Sequence, residues 1–103
     1  MTESDLQDAV IELAHLLNWR VMHQRPGLTQ SGHWRTATQG DGRGWPDLVL
    51  VRERVLYREL KSDRGTLSVE QQDWIHALKL AGQDVDVWRP ADWTSGEIER
   101  VLR

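Results

Sequence analysis

The chain has no cysteine, no phenylalanine, only three prolines and no long apolar run. Without cysteine there is no disulfide framework and no thiolate metal site, which fits an intracellular, cytoplasmic protein. No stretch approaches the ~20 apolar residues of a membrane-spanning helix, so no membrane partner is expected. The N-terminus "MTESDLQDAV" is acidic and polar, unlike a secretory signal. With no phenylalanine, the core must draw its aromatic bulk from six tryptophans and one tyrosine. Repeats and linkers are lacking as well, and 103 residues leave room for one domain, 1–103, with one modest core.

What is present is a globular composition with uneven charge. The net charge of −3 speaks weakly against a nucleic-acid partner, but its distribution speaks the other way. Residues 1–19 carry four acids and no Lys or Arg, residues 20–64 carry nine basic residues against five acids, and residues 65–103 carry four against seven. The middle third is therefore locally basic, as a solvated surface or a phosphate-binding region would be.

Leu6, Ala9, Val10, Leu13, Ala14 and Leu17 follow the i, i+3, i+4, i+7 rule and predict an amphipathic helix, capped by Thr2 or Ser4 and stopped near Asn18. "WRVMHQ" alternates as a strand from Trp19 to about Gln24. "RPGLTQSGHWRTATQGDGRG" has no period and reads as a long loop, which in a compact domain points to function or mobility. Two strands follow, Asp47–Arg52 and Val55–Lys61, with a tight turn near Glu53. Ser68 and Gln71 have capping-box spacing ahead of a second helix that ends at Gly82. "QDVDVWRP" is a fourth strand ended by Pro90, and "SGEIERVLR" a short last helix. The order α-β-β-β-α-β-α predicts an α/β fold, a mixed sheet with helices packed on it.

Three charges interrupt the apolar hairpin: Asp47, Glu59 and Lys61. Strand side chains alternate, so Glu59 and Lys61 share a face. An antiparallel fold about Glu53 opposes residues whose numbers sum to 106, which sets Asp47 against Glu59 with Cβ atoms about 5 Å apart. That register needs a loop with an odd number of residues; an even loop would send the two carboxylates to opposite faces. The odd choice gathers Leu48, Leu50, Leu56 and Leu60 on one face and leaves Val49, Val51, Val55, Tyr57 and the three charges on the other. Two carboxylates so close repel, and either protonation or a divalent cation relieves them. Two carboxylates, a backbone carbonyl and water suit Mg²⁺ or Mn²⁺. Lys61 beside them can orient or deprotonate a water and offset charge on phosphate. The bland alternative is an ion pair at a strand end.

"GWPDLVLV" followed by "YRELKSDRGTLSVEQQDWIHALKLAGQDVDVWRP" resembles the VRR-NUC domain of the PD-(D/E)XK nuclease superfamily. The G-x-P-D-L, E-L-K, R-G-x-L-S-x-x-Q and A-G-x-x-V-x-V-W-R-P pieces occur in the family's order and span nearly the whole chain, as in a minimal stand-alone copy of the phage and bacterial kind. The resemblance implies a restriction-endonuclease-like fold and metal-dependent endonucleolytic cleavage of DNA, with branched DNA such as Holliday junctions as substrate and a homodimer as the working form. It implies Asp47, Glu59 and the carbonyl of Leu60 as metal ligands and Lys61 as the catalytic lysine, with no nucleotide cofactor. An acid on the first helix would complete the metal site: Glu3 is the best match, with Gln7 one turn on and Glu12 as the alternative. Gln71 matches a recurrent family glutamine, although the capping box accounts for it nearly as well. Arg43, Arg58 and Arg64 are candidates for phosphate contact. Arg64 has the stronger claim, because Arg58 would share the leucine face and pair with a carboxylate or reach solvent. Trp34 and Trp45 flank the loop and could stack on an exposed base. Trp19, Trp74 and Trp88 are expected in the core, and Trp93 in the core or a dimer contact. His23 and His33 lack a partner at metal-ligand spacing. A less selective flap or duplex nuclease and an inactive DNA-binding module are the rival readings.

Overall fold

In a computed structural model, which describes residues 1–24, 27–28, 34–35 and 40–103 (at 27–28 and 34–35 the backbone alone), the chain builds a four-stranded mixed sheet between helices. Helix α1 (Glu3–Leu16) starts at a capping box. The Asp5 N–H donates to the Thr2 hydroxyl at 3.0 Å and the Thr2 N–H donates to the Asp5 carboxylate at 2.9 Å, so Thr2 rather than Ser4 is the cap. Asn18, in the left-handed region at φ 69°, turns the chain out of the helix. Strand β1 (Arg20–His23) follows. Within the predicted loop lie two short antiparallel strands, β2 (Gly27–Leu28) and β3 (Trp34–Arg35), an addition to the expected order. His33 and the side chain of Trp34 lie outside the described residues.

Strands β4 (Leu48–Val51) and β5 (Val55–Leu60) form the hairpin. Leu48 pairs with Arg58, Val49 with Tyr57, Leu50 with Leu56 and Val51 with Val55, so every pair sums to 106. The connection Arg52–Glu53–Arg54 is three residues long and is closed by the Arg52 N–H donating to the Arg54 carbonyl at 3.0 Å. The odd loop follows from the burial it permits: Leu48, Leu50, Leu56 and Leu60 all face one side and are at most 1% exposed. An even loop would have split them.

Helix α2 (Val69–Leu80) carries the chain from β5 to β6 (Asp84–Trp88), which lies parallel to β5 and gives the order β1-β4-β5-β6. A short helix absent from the expected order, α3 (Pro90–Thr94), precedes the expected last one, α4 (Glu97–Leu102), and Gly96 separates them at a left-handed φ of 86°. The leucine face packs with Leu6, Val10 and Ala14 of α1, with Ile98 and Leu102 of α4, and with Trp19 and Trp88. Trp93 is partly buried and packs against this cluster. Arg58 is buried on the same face, where it pairs with Asp84 at 2.8 Å and stacks over Trp88. Trp74 differs from expectation. It is half-buried outside the main core, edge-on to Trp45 at 4.8 Å, and Trp45 is in turn edge-on to Tyr57 at 5.8 Å. This aromatic row ties α2 to the other face of the sheet. The result is the layered α/β architecture expected of a restriction-endonuclease-like fold.

Candidate active site

Asp47 and Glu59 sit at the open end of the hairpin, one step beyond the Leu48–Arg58 pair. Arg52 and Arg54 form a hydrogen-bonded pair at the turn, so the even-numbered positions continue as such pairs and the odd ones, including 47 and 59, lie in the narrower pairs where side chains approach closest. Their side chains emerge on one face of the hairpin, directly across from each other. By the same alternation the N–H and C=O of Leu60 point across to Pro46. Proline has no N–H to donate, so the Leu60 carbonyl loses its ladder partner. The Leu60 N–H instead donates to Oδ2 of Asp47 at 2.8 Å and fixes that side chain.

Glu59 is 2% exposed. Burial pushes its carboxyl up to about 9, and the hydrogen bond and charge of Asp47 push in the same direction. The Lys61 ammonium opposes that push and the Glu3 carboxylate adds to it. A buried Glu59 therefore keeps its proton at neutral pH in the metal-free protein. Lys61 Nζ stands 4.0 Å from Oε1 of Glu59, the outer limit of an ion pair. Gln71 does two things at once. Its Oε1 accepts the Ser68 N–H at 2.9 Å in the capping box of α2, and its Nε2 donates to Oε1 of Glu59 at 3.1 Å. The cap and the site contact are one side chain.

Of the three candidates on α1, Glu3 is the one whose charge reaches Glu59. Glu12 lies nine residues on, about 14 Å along the helix axis, and is exposed. Gln7 is half-buried. The arginines are not gathered with the acids. Arg64 is exposed on the turn after Lys61. Arg43 lines a cavity of about 500 Å³ between the glycine loop and the Glu70, Asp73 and Trp74 stripe of α2, which is a different stripe from that of Gln71. Trp45 is committed to Tyr57 and Trp74. His23 pairs in register with Leu48 and is half-buried.

Gly44 explains why the loop ends in glycine. At φ 87° it lies against the first turn of α2, and a Cβ there would stand 2.5 Å from the Glu70 carbonyl carbon and 2.7 Å from the Gln71 nitrogen. Two further residues come into view only in three dimensions. Register between β1 and β4, carried one step past His23–Leu48, sets Gln24 beside Asp47 on the same face. Arg89, at the end of β6, donates through Nη1 to the carbonyls of Ser62 and Gly65 just past Lys61. Arg89 belongs to the W-R-P piece of the motif, but its task was not legible there, since its partners are 24 and 27 residues away.

The donor set is all oxygen, two opposed acids and a main-chain carbonyl without a ladder partner, and so it suits a hard divalent cation. Among the described residues, no group of three or more His, Cys, Asp and Glu stands ready to hold a metal. The fit therefore rests on the pair Asp47–Glu59 and the Leu60 carbonyl. Compared with known families, residues 4–92 match the family model described as VRR-NUC domain. No curated protein and no solved structure matches the chain.

Proposed function

The chain belongs to the VRR-NUC domain family, nucleases of the PD-(D/E)XK type, and from that premise we propose that it is a Mg²⁺- or Mn²⁺-dependent endodeoxyribonuclease that prefers branched DNA such as Holliday junctions. The observation that carries the reading is the buried Glu59 carboxyl set across the hairpin from Asp47, with Lys61 beside it. A protein without a use for these groups gains stability by replacing them with apolar ones.

In this reading Asp47, Glu59 and the Leu60 carbonyl hold the cation, with Glu3 completing the set from α1. When bound, the cation lowers the pKa of a water and draws off phosphate charge. The chain's own groups do the rest. The Leu60 N–H keeps Asp47 in one rotamer, and Gln71 keeps Glu59 in another. Glu59 gives up its proton on taking a cation, so binding is stronger at higher pH. The Lys61 ammonium offsets negative charge gathering on the phosphate oxygens or orients the attacking water. Arg64 on its exposed turn and Arg43 at the glycine loop supply phosphate contacts outside the reacting centre, and the Gln71 amide supplies one at its edge. Two copies related by a two-fold axis would present two such sites to the two symmetric strands of a four-way junction, which makes a homodimer part of the proposal.

The test is cleavage of labelled four-way junction, flap and linear duplex, with Mg²⁺, Mn²⁺ or EDTA, by the wild type and Lys61→Ala. The proposal expects metal-dependent cutting, fastest on the junction and lost in the variant. Equal cutting of all three substrates removes the junction preference. Tight binding with no cutting under any condition would leave a DNA-binding module.

A further inference from the structure

Lys61 is the first residue after β5, and a side chain at a strand end is only as well placed as the turn beneath it. That turn is held at four points. The Lys61 N–H donates to the Trp88 carbonyl at 3.1 Å, and the Gly65 N–H closes the turn onto the Ser62 carbonyl at 3.2 Å. Oδ1 of Asp63 accepts the Ala91 N–H at 2.9 Å. The fourth hold is the strongest: Nη1 of Arg89 donates to the Ser62 carbonyl at 2.6 Å and to the Gly65 carbonyl at 2.7 Å. These are short, charge-assisted bonds from one guanidinium nitrogen to both ends of the turn. Arg89 is itself fixed, half-buried, with its N–H bonded to Asp92 at 2.8 Å. Gly65 leaves the Lys61 chain its room, since a Cβ there would lie 3.4 Å from Lys61 Cδ and 2.9 Å from Ser62 Oγ.

We propose that Arg89 is a positioning residue for the reaction: by clamping both carbonyls of the Ser62–Gly65 turn it holds the Lys61 ammonium against Glu59. The proposal rests on the reading of Lys61 as catalytic. Removal of the guanidinium leaves two carbonyls that can turn to water, and the turn then samples other conformations. An ammonium displaced by an ångström or so loses rate by about a hundredfold while DNA still binds. A purely structural arginine behaves differently, and the molecule contains one for comparison. Nη1 of Arg52 reaches the carbonyls of Leu17 and Leu102 at 3.0 and 3.1 Å, at the opposite end of the hairpin.

The experiment compares wild type, Arg89→Ala, Arg89→Lys, Arg52→Ala and Lys61→Ala, with cleavage of labelled junction in Mn²⁺ and with amide hydrogen exchange. Arg89→Ala is expected to lose about a hundredfold in kcat with KM within about twofold, and Arg89→Lys to fall between it and wild type. Added guanidinium ion, well below denaturing concentration, should restore part of the Arg89→Ala rate and none of any Arg52→Ala loss. Exchange at the Gly65 amide should quicken in Arg89→Ala alone. Wild-type kcat in Arg89→Ala overturns the proposal. So does a loss that follows only the folded fraction, as in Arg52→Ala, without guanidinium rescue. Should Arg89→Ala not fold, Arg89→Lys decides by the same readouts. Cleavage undiminished in Lys61→Ala, or absent in the wild type, would sink the catalytic reading of Lys61, and Gly65 exchange would still show whether Arg89 holds the turn.

Discussion

Glu53 and Glu59 stand at opposite ends of one hairpin, six residues apart, and their carboxyls are driven in opposite directions. At the turn, Glu53 is exposed, and the hydrogen bonds of the Arg52 guanidinium hold it down to about 2. At the open end, burial and Asp47 push Glu59 up to about 9. The turn end is built for stability: Arg52 and Arg54 cross the Trp19 ring and bond the last carbonyls of α4. The open end buries a carboxyl that stays protonated without a cation, with the Lys61 ammonium 4.0 Å off. An exposed carboxyl held by a guanidinium stays ionised at little cost, whereas a carboxyl buried beside another acid costs stability and is kept where chemistry needs it.

The sharpest way to break this contrast is to neutralise each end in turn. Glu59→Gln and Asp47→Asn should each lose about 10²-fold or more in cleavage rate, while Glu53→Gln should cut DNA at the wild-type rate. A Glu53→Gln protein as damaged as Glu59→Gln would erase the distinction. Thermal melts sharpen it next. Glu59 has an ordinary value of 4.5 when unfolded and about 9 when folded. Between those values the folded state holds a proton that the unfolded chain has released, so metal-free stability should fall as pH rises through that window. Glu53 has the opposite sign: its contribution is full above 4.5 and is lost as pH falls toward 2. Melting in EDTA from pH 5 to 9 should show the alkaline decline, and Glu59→Gln should flatten it. Mg²⁺ or Mn²⁺ at pH 8 should then raise the wild-type Tm and leave that of Glu59→Gln unmoved.

A smaller effect is expected behind the site. Gly44→Ala meets backbone atoms of α2 and an unfavourable φ, and should cost about 1–3 kcal/mol in denaturant titration. Its cleavage rate should drop as well, because Gln71 shifts with the helix start. Smallest are the outlying arginines. Arg43→Ala and Arg64→Ala should each lower the salt slope of DNA binding by about one while sparing kcat.

Much of this was legible before any coordinates, and the hairpin shows why. Side-chain alternation and loop parity are local and periodic, so Leu48, Leu50, Leu56 and Leu60 could be assigned to one face and Asp47 set against Glu59 from spacing alone. The caps at Thr2 and Ser68 have the same local origin. What stayed hidden depends on segments far apart in the chain. Trp74 carries the apolar signal of a core residue, yet α2 crosses the sheet where Trp45 and Tyr57 receive it instead.

The sequence by itself determined the register of the two central strands and the face on which the three charges emerge, because covalent geometry repeats every two residues along a strand. Only the tertiary structure decided that the charge of Glu3 is felt at Glu59, that Gln71 serves cap and carboxylate together, and that Arg89 grips the turn after Lys61. The bonds of Gln71 to Glu59 and of Arg89 to the turn join residues from 12 to 27 positions apart, and they follow from how distant segments pack.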